Sequence, residues 1–160
     1  MPVMSGFKQR IVRGRSIAHH RVFAATRGRL LGRWGGHDVL ELTTRGRRSG
    51  RPRSVILACL VTEGESLVVV ASDGGAPRHP AWYVNLGADP AAEVVRNGRR
   101  TRVRARTAEG DERERLWRRI TQVAPAYGRY QQRTDRILPV VVLQPASAAS
   151  QMDSQSPRTS

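Results

Sequence analysis

Apolar residues fall along this chain in short, separated runs. The clearest are Val39-Leu-Glu-Leu42, Val55-Ile-Leu-Ala-Cys-Leu-Val61, Leu67-Val-Val-Val70 and Val140-Val-Val-Leu143. Runs of four to seven residues rich in β-branched side chains and bounded by turn formers predict strands rather than helices. On that basis strands are expected over 39–43, 54–62, 67–72, 93–96, 99–106 and 138–143. Glu63-Gly64-Glu65 supplies a tight turn between the second and third, and Asn97-Gly98 a hairpin between the fourth and fifth. In the fifth strand Arg100, Arg102, Arg104 and Arg106 alternate with Thr101, Val103 and Ala105, so one face is all guanidinium.

Helical periodicity is confined to a few places. Asp111-Glu112 opens a helix in which Leu116, Ile120 and Val123 keep a three-to-four spacing, and Pro125 ends it. Pro80 is suited to start a short helix carrying Trp82, Tyr83 and Leu86. Tyr127 and Tyr130, three apart, share one side of a helical turn. Six strands joined mainly by short turns, with no βαβ alternation, predict a mainly β (α+β) domain: a small antiparallel barrel with helices packed outside it. The barrel is expected within 38–145. Residues 146–160 are small and polar and are expected to be disordered, and no internal repeat is present.

Charge changes this picture. Among 160 residues there are 28 Lys or Arg against 13 Asp or Glu, a formal net charge of +15. Such an excess implies an anionic partner, whether nucleic acid, membrane surface or a polyanionic small molecule. Lys8 is the only lysine, a bias that a GC-rich genome also produces, so placement is more informative than the total. Residues 1–37 hold eight of the basic residues and no acidic one, interleaved with Phe7, Ile11, Phe23 and Trp34. This reads as a basic amphipathic segment that either covers the barrel or touches anionic membrane. The N-terminus lacks the apolar stretch and cleavage site of a secretory signal, no run is long enough to span a bilayer, and Cys59 stands alone, all of which predict a cytoplasmic protein. With 5% aromatic residues and no helix-turn-helix, zinc-finger or RNA-platform pattern, a nucleic-acid partner is not expected.

The densest basic stretch is Thr43-Thr-Arg-Gly-Arg-Arg-Ser-Gly-Arg-Pro-Arg-Ser54, with five arginines in twelve positions and no acid. It lacks the spacing and the lysine of a Walker loop. Placed between two strands, it becomes a glycine-punctuated hairpin tip whose amides, Ser49 hydroxyl and forked guanidiniums suit a phosphate or several carboxylates; a merely solvated tip is the competing reading. A second irregular segment, Ala71-Ser-Asp-Gly-Gly-Ala76, leaves a strand on two glycines, which permit close approach of a ligand to the backbone. His19, His20, His37 and His79 show no metal-ligand spacing, and no metal site is expected.

Three motifs in order, Thr43-Thr-x-Gly-Arg-Arg-Ser-Gly-x-Pro-Arg53, Ala71-Ser-x-Gly-Gly-Ala-x-x-x-Pro-x-Trp-Tyr-x-Asn-Leu86 and Tyr127-x-x-Tyr-Gln-x-x-Thr-Asp-Arg-x-x-Pro139, closely resemble the deazaflavin-dependent nitroreductase family of actinobacteria. The resemblance implies a split β-barrel related to pyridoxamine phosphate oxidases, which bind FMN, and an enzyme using coenzyme F420, a deazaflavin with a phosphate and an oligoglutamate tail. It places Arg47, Arg48, Ser49 and Arg53 at the phosphate and tail, Ser72, Gly74, Gly75 and Ala76 along the cofactor, and Trp82, Tyr83 and Asn85 in the family's Trp-Tyr-x-Asn positions. Core packing is the competing role for the two aromatics. Tyr127 and Tyr130 would lie over the ring or offer a phenol proton. The implied reaction is hydride transfer from reduced F420 to a small electron-poor acceptor such as a quinone, enone or nitro compound. An FMN-binding or F420-storing protein is the alternative within the same fold. The chain departs from the family pattern at Ile56, Asp73, Ala58 and Ala124, where prolines, lysines and aromatics are usual, and the last two bear on which acceptor is used.

Overall fold

A computed structural model describes residues 33–34 and 36–146. The readings for most of residues 1–37 and for the tail beyond 146 lie outside the described residues. The elements are β1 (Arg33–Trp34), β2 (His37–Arg45), β3 (Pro52–Cys59), β4 (Val61–Glu63), β5 (Ser66–Val70), a single 3-10 turn (Asp73–Gly75), α1 (Ala81–Ala88), β6 (Ala91–Arg96), β7 (Arg99–Thr107), α2 (Gly110–Val123), α3 (Ala126–Gln132) and β8 (Val140–Pro145).

All pairings are antiparallel. The sheet runs β3-β2-β6-β7-β8-β5-β4, with β1 adding two residues to the start of β2. The strands at the two ends of that path, β3 and β4, are separated in the chain by Leu60 alone. The sheet must therefore curl. Its curl is visible in the core, where Leu40 and Leu42 of β2 meet Val69 of β5 and Leu143 of β8 in one cluster. The result is a mainly β, antiparallel half-barrel with three helices among the described residues, in the class of small antiparallel barrel that the residue pattern predicts.

Three details differ from the expected layout. The sheet has eight strands rather than six: the run 54–62 breaks at Leu60, where the chain turns from β2's neighbour into β5's, and β1 lies ahead of the expected first strand. The helices do not all lie outside. Trp82 and Leu86 of α1 join the inner cluster, whereas Leu116 and Ile120 of α2 pack with Val68, Val70, Val140 and Val142 on the opposite face. Strands β5 and β8 are thus covered on both sides, which explains their continuous apolar runs where the exposed β7 alternates. The third difference is small: β2, β3 and β6 start two residues early, at His37, Pro52 and Ala91, and β8 runs two residues late, over Val140–Pro145.

The turns follow from local chemistry. Asn97 (φ 51°) and Gly98 (φ 76°) both adopt the left-handed conformation that a two-residue hairpin demands. Among the described residues no helix is long and apolar enough to cross a membrane.

Candidate functional site

Two chambers open beside the edge strand β3, and they share Val55, Asp73, Pro80 and Trp82. The larger, about 820 Å³, lies between β3 and α3; Val55, Leu57, Ala58, Ala124, Tyr127 and Tyr130 contribute to its wall. The smaller, about 540 Å³, lies between the β2–β3 hairpin tip and the start of α1, with Arg47, Arg48, Ser49, Arg53 and Asn85 around it. Each is of the size that holds a small ligand. One apolar chamber opens into one basic chamber.

The basic chamber is a folded tip, not a loose one. The Gly46 amide donates to Arg51 O at 2.8 Å and the Gly50 amide to Gly46 O at 2.7 Å. A Cβ on Gly46 would come within 2.7 Å of the Ser49 hydroxyl and 3.2 Å of Arg51 O, so a bare Gly46 leaves the Ser49 side chain its place inside the turn. Ser49 Oγ in turn accepts the Arg51 amide at 3.3 Å. The tip is tied to α1 through the buried Asn85: its Nδ2 donates to Thr44 Oγ1 at 3.1 Å, and its Oδ1 accepts the Arg47 amide at 3.2 Å. Arg47, Arg48, Arg51 and Arg53 are exposed, and none has an acidic partner among the described residues. By contrast, Arg100 and Arg106 on β7 are neutralised by Glu93 and Glu112, which weakens the guanidinium face there as a binding surface.

Between the chambers runs the turn from Ser72 to Ala76. Arg136 clamps it from behind, its guanidinium donating to Ala71 O (3.0 Å), Ser72 O (2.7 Å) and Ala76 O (2.7 Å) and meeting His79 Nδ1 at 3.2 Å. A fork held by three carbonyls fixes the turn as a single point charge could not. Burial and the Arg136 charge lower the His79 pKa, which favours the neutral imidazole over the charged one. With the carbonyls turned back, Ser72 and Gly74 are left on the wall of the large chamber together with Asp73.

The two glycines of this turn have different surroundings. Gly74 (φ 65°) has open space where a Cβ would be. At Gly75 (φ 83°) a Cβ would strike Tyr130 O at 2.4 Å, so its bareness serves the packing of α3 against the turn. Gly75 and Ala76 line neither chamber. Trp82 touches both chambers while 93% of it is buried in the inner core, edge-on to Tyr83. Tyr83 faces away, its hydroxyl 3.0 Å from Thr107 Oγ1.

Tyr127 and Tyr130 stand edge to face with centroids 5.4 Å apart. Burial, reinforced by Tyr130, pushes the Tyr127 phenol up to about 12. The Arg133 guanidinium lies 5.7 Å from the Tyr130 ring centre, a cation–π contact. Gln131 secures the chain after α3, donating to Arg136 O at 2.8 Å and accepting the Leu138 amide at 2.9 Å. Sequence reasoning had no signal for the positioning work of Arg136 and Gln131. Both stand in the third motif, but the carbonyls that Arg136 holds are some sixty residues earlier in the chain.

Residues 15–145 match the model of the F420H(2)-dependent quinone reductase family. An F420H(2)-dependent quinone reductase of Mycobacterium tuberculosis is 36% identical over 134 residues, covering 78% of this chain and 86% of that one. A solved F420-H2 dependent reductase shares 37% identity with a TM-score of 0.60, over 66% of this chain and 93% of that one. A structure described as a domain-swapped dimer is 37% identical with a TM-score of 0.61, over 66% and 79%. The three motifs and the matched family thus point to the same F420-dependent group, and the chain belongs to the F420H(2)-dependent quinone reductase family as an F420-dependent reductase.

Proposed function

We propose that this protein passes a hydride from reduced F420 to a small electron-poor acceptor of the quinone type, enones and nitro compounds being the related candidates. The observation that carries the reading is the pairing of the two chambers. A large, mainly apolar chamber with two tyrosines suits a planar ring and an acceptor stacked on it. It opens into a small chamber whose exposed arginines have no acid of their own. The residues fit the cofactor at both ends: Arg47, Arg48, Ser49 and Arg53 offer charge-assisted bonds to a phosphate and carboxylates, each contributing about 1.5–3 kcal/mol. Ser72, Gly74 and Trp82 line the path between, and Gly75 and Ala76 act through the shape of the turn.

When bound, the deazaflavin supplies the hydride chemistry. This chain's residues then have three tasks. The wall of Val55, Leu57, Ala58 and Ala124 keeps water from the reacting faces and holds donor and acceptor together, which converts an encounter in solution into a bound, oriented pair. Tyr130, at the rim, donates a proton from its hydroxyl to the reduced acceptor and recovers it from solvent. Tyr127, deeper and held neutral, orients the acceptor as a hydrogen-bond donor. Electrons and protons balance as reduced F420 plus quinone giving oxidised F420 plus quinol.

The test is stopped-flow oxidation of reduced F420 by a soluble quinone. Wild-type protein should turn over, and Tyr130→Phe should slow the step about tenfold or more with cofactor affinity nearly unchanged. Binding of F420 without turnover of any quinone, enone or nitro compound would favour a storage protein instead.

A further inference from the structure

Among the described residues Asp73 is the one acidic residue lining either chamber, and it lines both. It is exposed, yet neither Arg47, Arg48 nor Arg53 forms an ion pair with it, although all three line the smaller chamber with it. Its backbone is left-handed, with φ 44°, one of two such non-glycine residues among those described. The other, Asn97, is explained by its hairpin. Asp73 is followed by two glycines that would take the same conformation without strain. An aspartate at this left-handed position, sharing the smaller chamber with three unpaired arginines and pairing with none, lowers the local positive potential.

We propose that Asp73 determines which anion the cleft accepts at the neck between the chambers. This rests on the F420 reading and deepens it. A ligand spanning both chambers passes Asp73 with the polyol linker that joins its ring to its phosphate. The carboxylate accepts hydrogen bonds from linker hydroxyls and repels negative charge held close to the ring. FMN ends in a phosphomonoester that concentrates nearly two charges at the end of its polyol at neutral pH, with no tail to carry charge further from Asp73. The phosphate of F420 is a diester with one charge, and its remaining charges lie further along the tail, within the province of Arg47, Arg48 and Arg53. Asp73 thus penalises the first ligand more than the second. The hairpin attracts anions and Asp73 selects among them by charge and distance.

The experiment is a set of fluorescence titrations with riboflavin, FMN and F420 on wild type and Asp73→Asn. Asparagine keeps the side-chain shape and tolerates the left-handed backbone, so the fold is preserved. A melting curve on each protein confirms this. In the wild type FMN should bind no more tightly than riboflavin despite the arginines. In Asp73→Asn FMN should tighten on the order of tenfold, the scale of one charge–charge interaction across a partly solvated cleft. F420 should tighten less than about threefold, and riboflavin should not move. Equal changes for all three ligands, or none, would overturn the assignment, as would F420 gaining as much as FMN. Failure of wild-type protein to bind F420 at all would instead strike the proposed function, while the comparison of FMN with riboflavin would still decide the role of Asp73.

Discussion

The Tyr127 phenol sits against the outer core cluster, and the loss of water around it holds the proton on the oxygen. A phenolate in that place would lack solvation and would face the Tyr130 hydroxyl. Tyr127 is therefore a donor at every physiological pH. The sign of the linkage follows. The folded value, about 12, lies above the ordinary value of 10.0, so the stabilisation from burying the neutral phenol is fully present below pH 10 and is lost as pH rises through 12. Ultraviolet titration of the three tyrosines should show one phenolate appearing only near pH 12, and Tyr127→Phe should remove that step. Ionisation of all three near 10 would contradict the burial of Tyr127.

At the level of elements, the site depends on side chains that tie separate segments together. Asn85 is the smallest of these ties and the most exposed to test. It is buried on α1, and both halves of its amide are used, one on Thr44 and one on the Arg47 backbone. Asn85→Ala leaves the Arg47 amide without its partner and the buried Thr44 hydroxyl with only its 3.4 Å bond to Arg53 O, at a cost of about 1–3 kcal/mol. It should also release the hairpin tip. The expected result is a lower melting temperature together with weaker F420 binding, whereas unchanged affinity in a folded Asn85→Ala protein would mean that the tip is held by its own hydrogen bonds alone.

Strand and helix positions were legible because alternation and capping are local: the hairpin at Asn97-Gly98, the helix after Pro80 and the helix from 110 all follow from neighbours within four residues. The break at Leu60 was not legible, since it arises where the chain leaves β2 for β5, a choice that only the closed curl imposes. The same holds for α1 on the inner face. In the site, residue type and glycine punctuation disclosed the basic tip. They could not disclose that Gly75 is bare for the sake of the Tyr130 carbonyl, or that Arg136 is spent on the turn and not on a ligand.

For the whole molecule, the net charge of +15 resolves into arginines with different tasks. Those on β7 and α2 are partly neutralised within the fold, with Arg106 on Glu112 and Arg115 and Arg119 on Glu63. Those at the β2–β3 tip are not. Under the proposed function this uncompensated charge holds the acidic end of F420. That role is tested most directly by titrating F420 into the wild type and into the double variant Arg47→Ala, Arg48→Ala, at low and at moderate salt. The tip buries little apolar area, so the variant should stay folded. The wild type should bind F420 with an affinity that falls as salt screens the charges, and the variant should bind about a hundredfold more weakly with a shallower salt dependence. Equal affinity of the two proteins for F420 would contradict that role for the tip arginines.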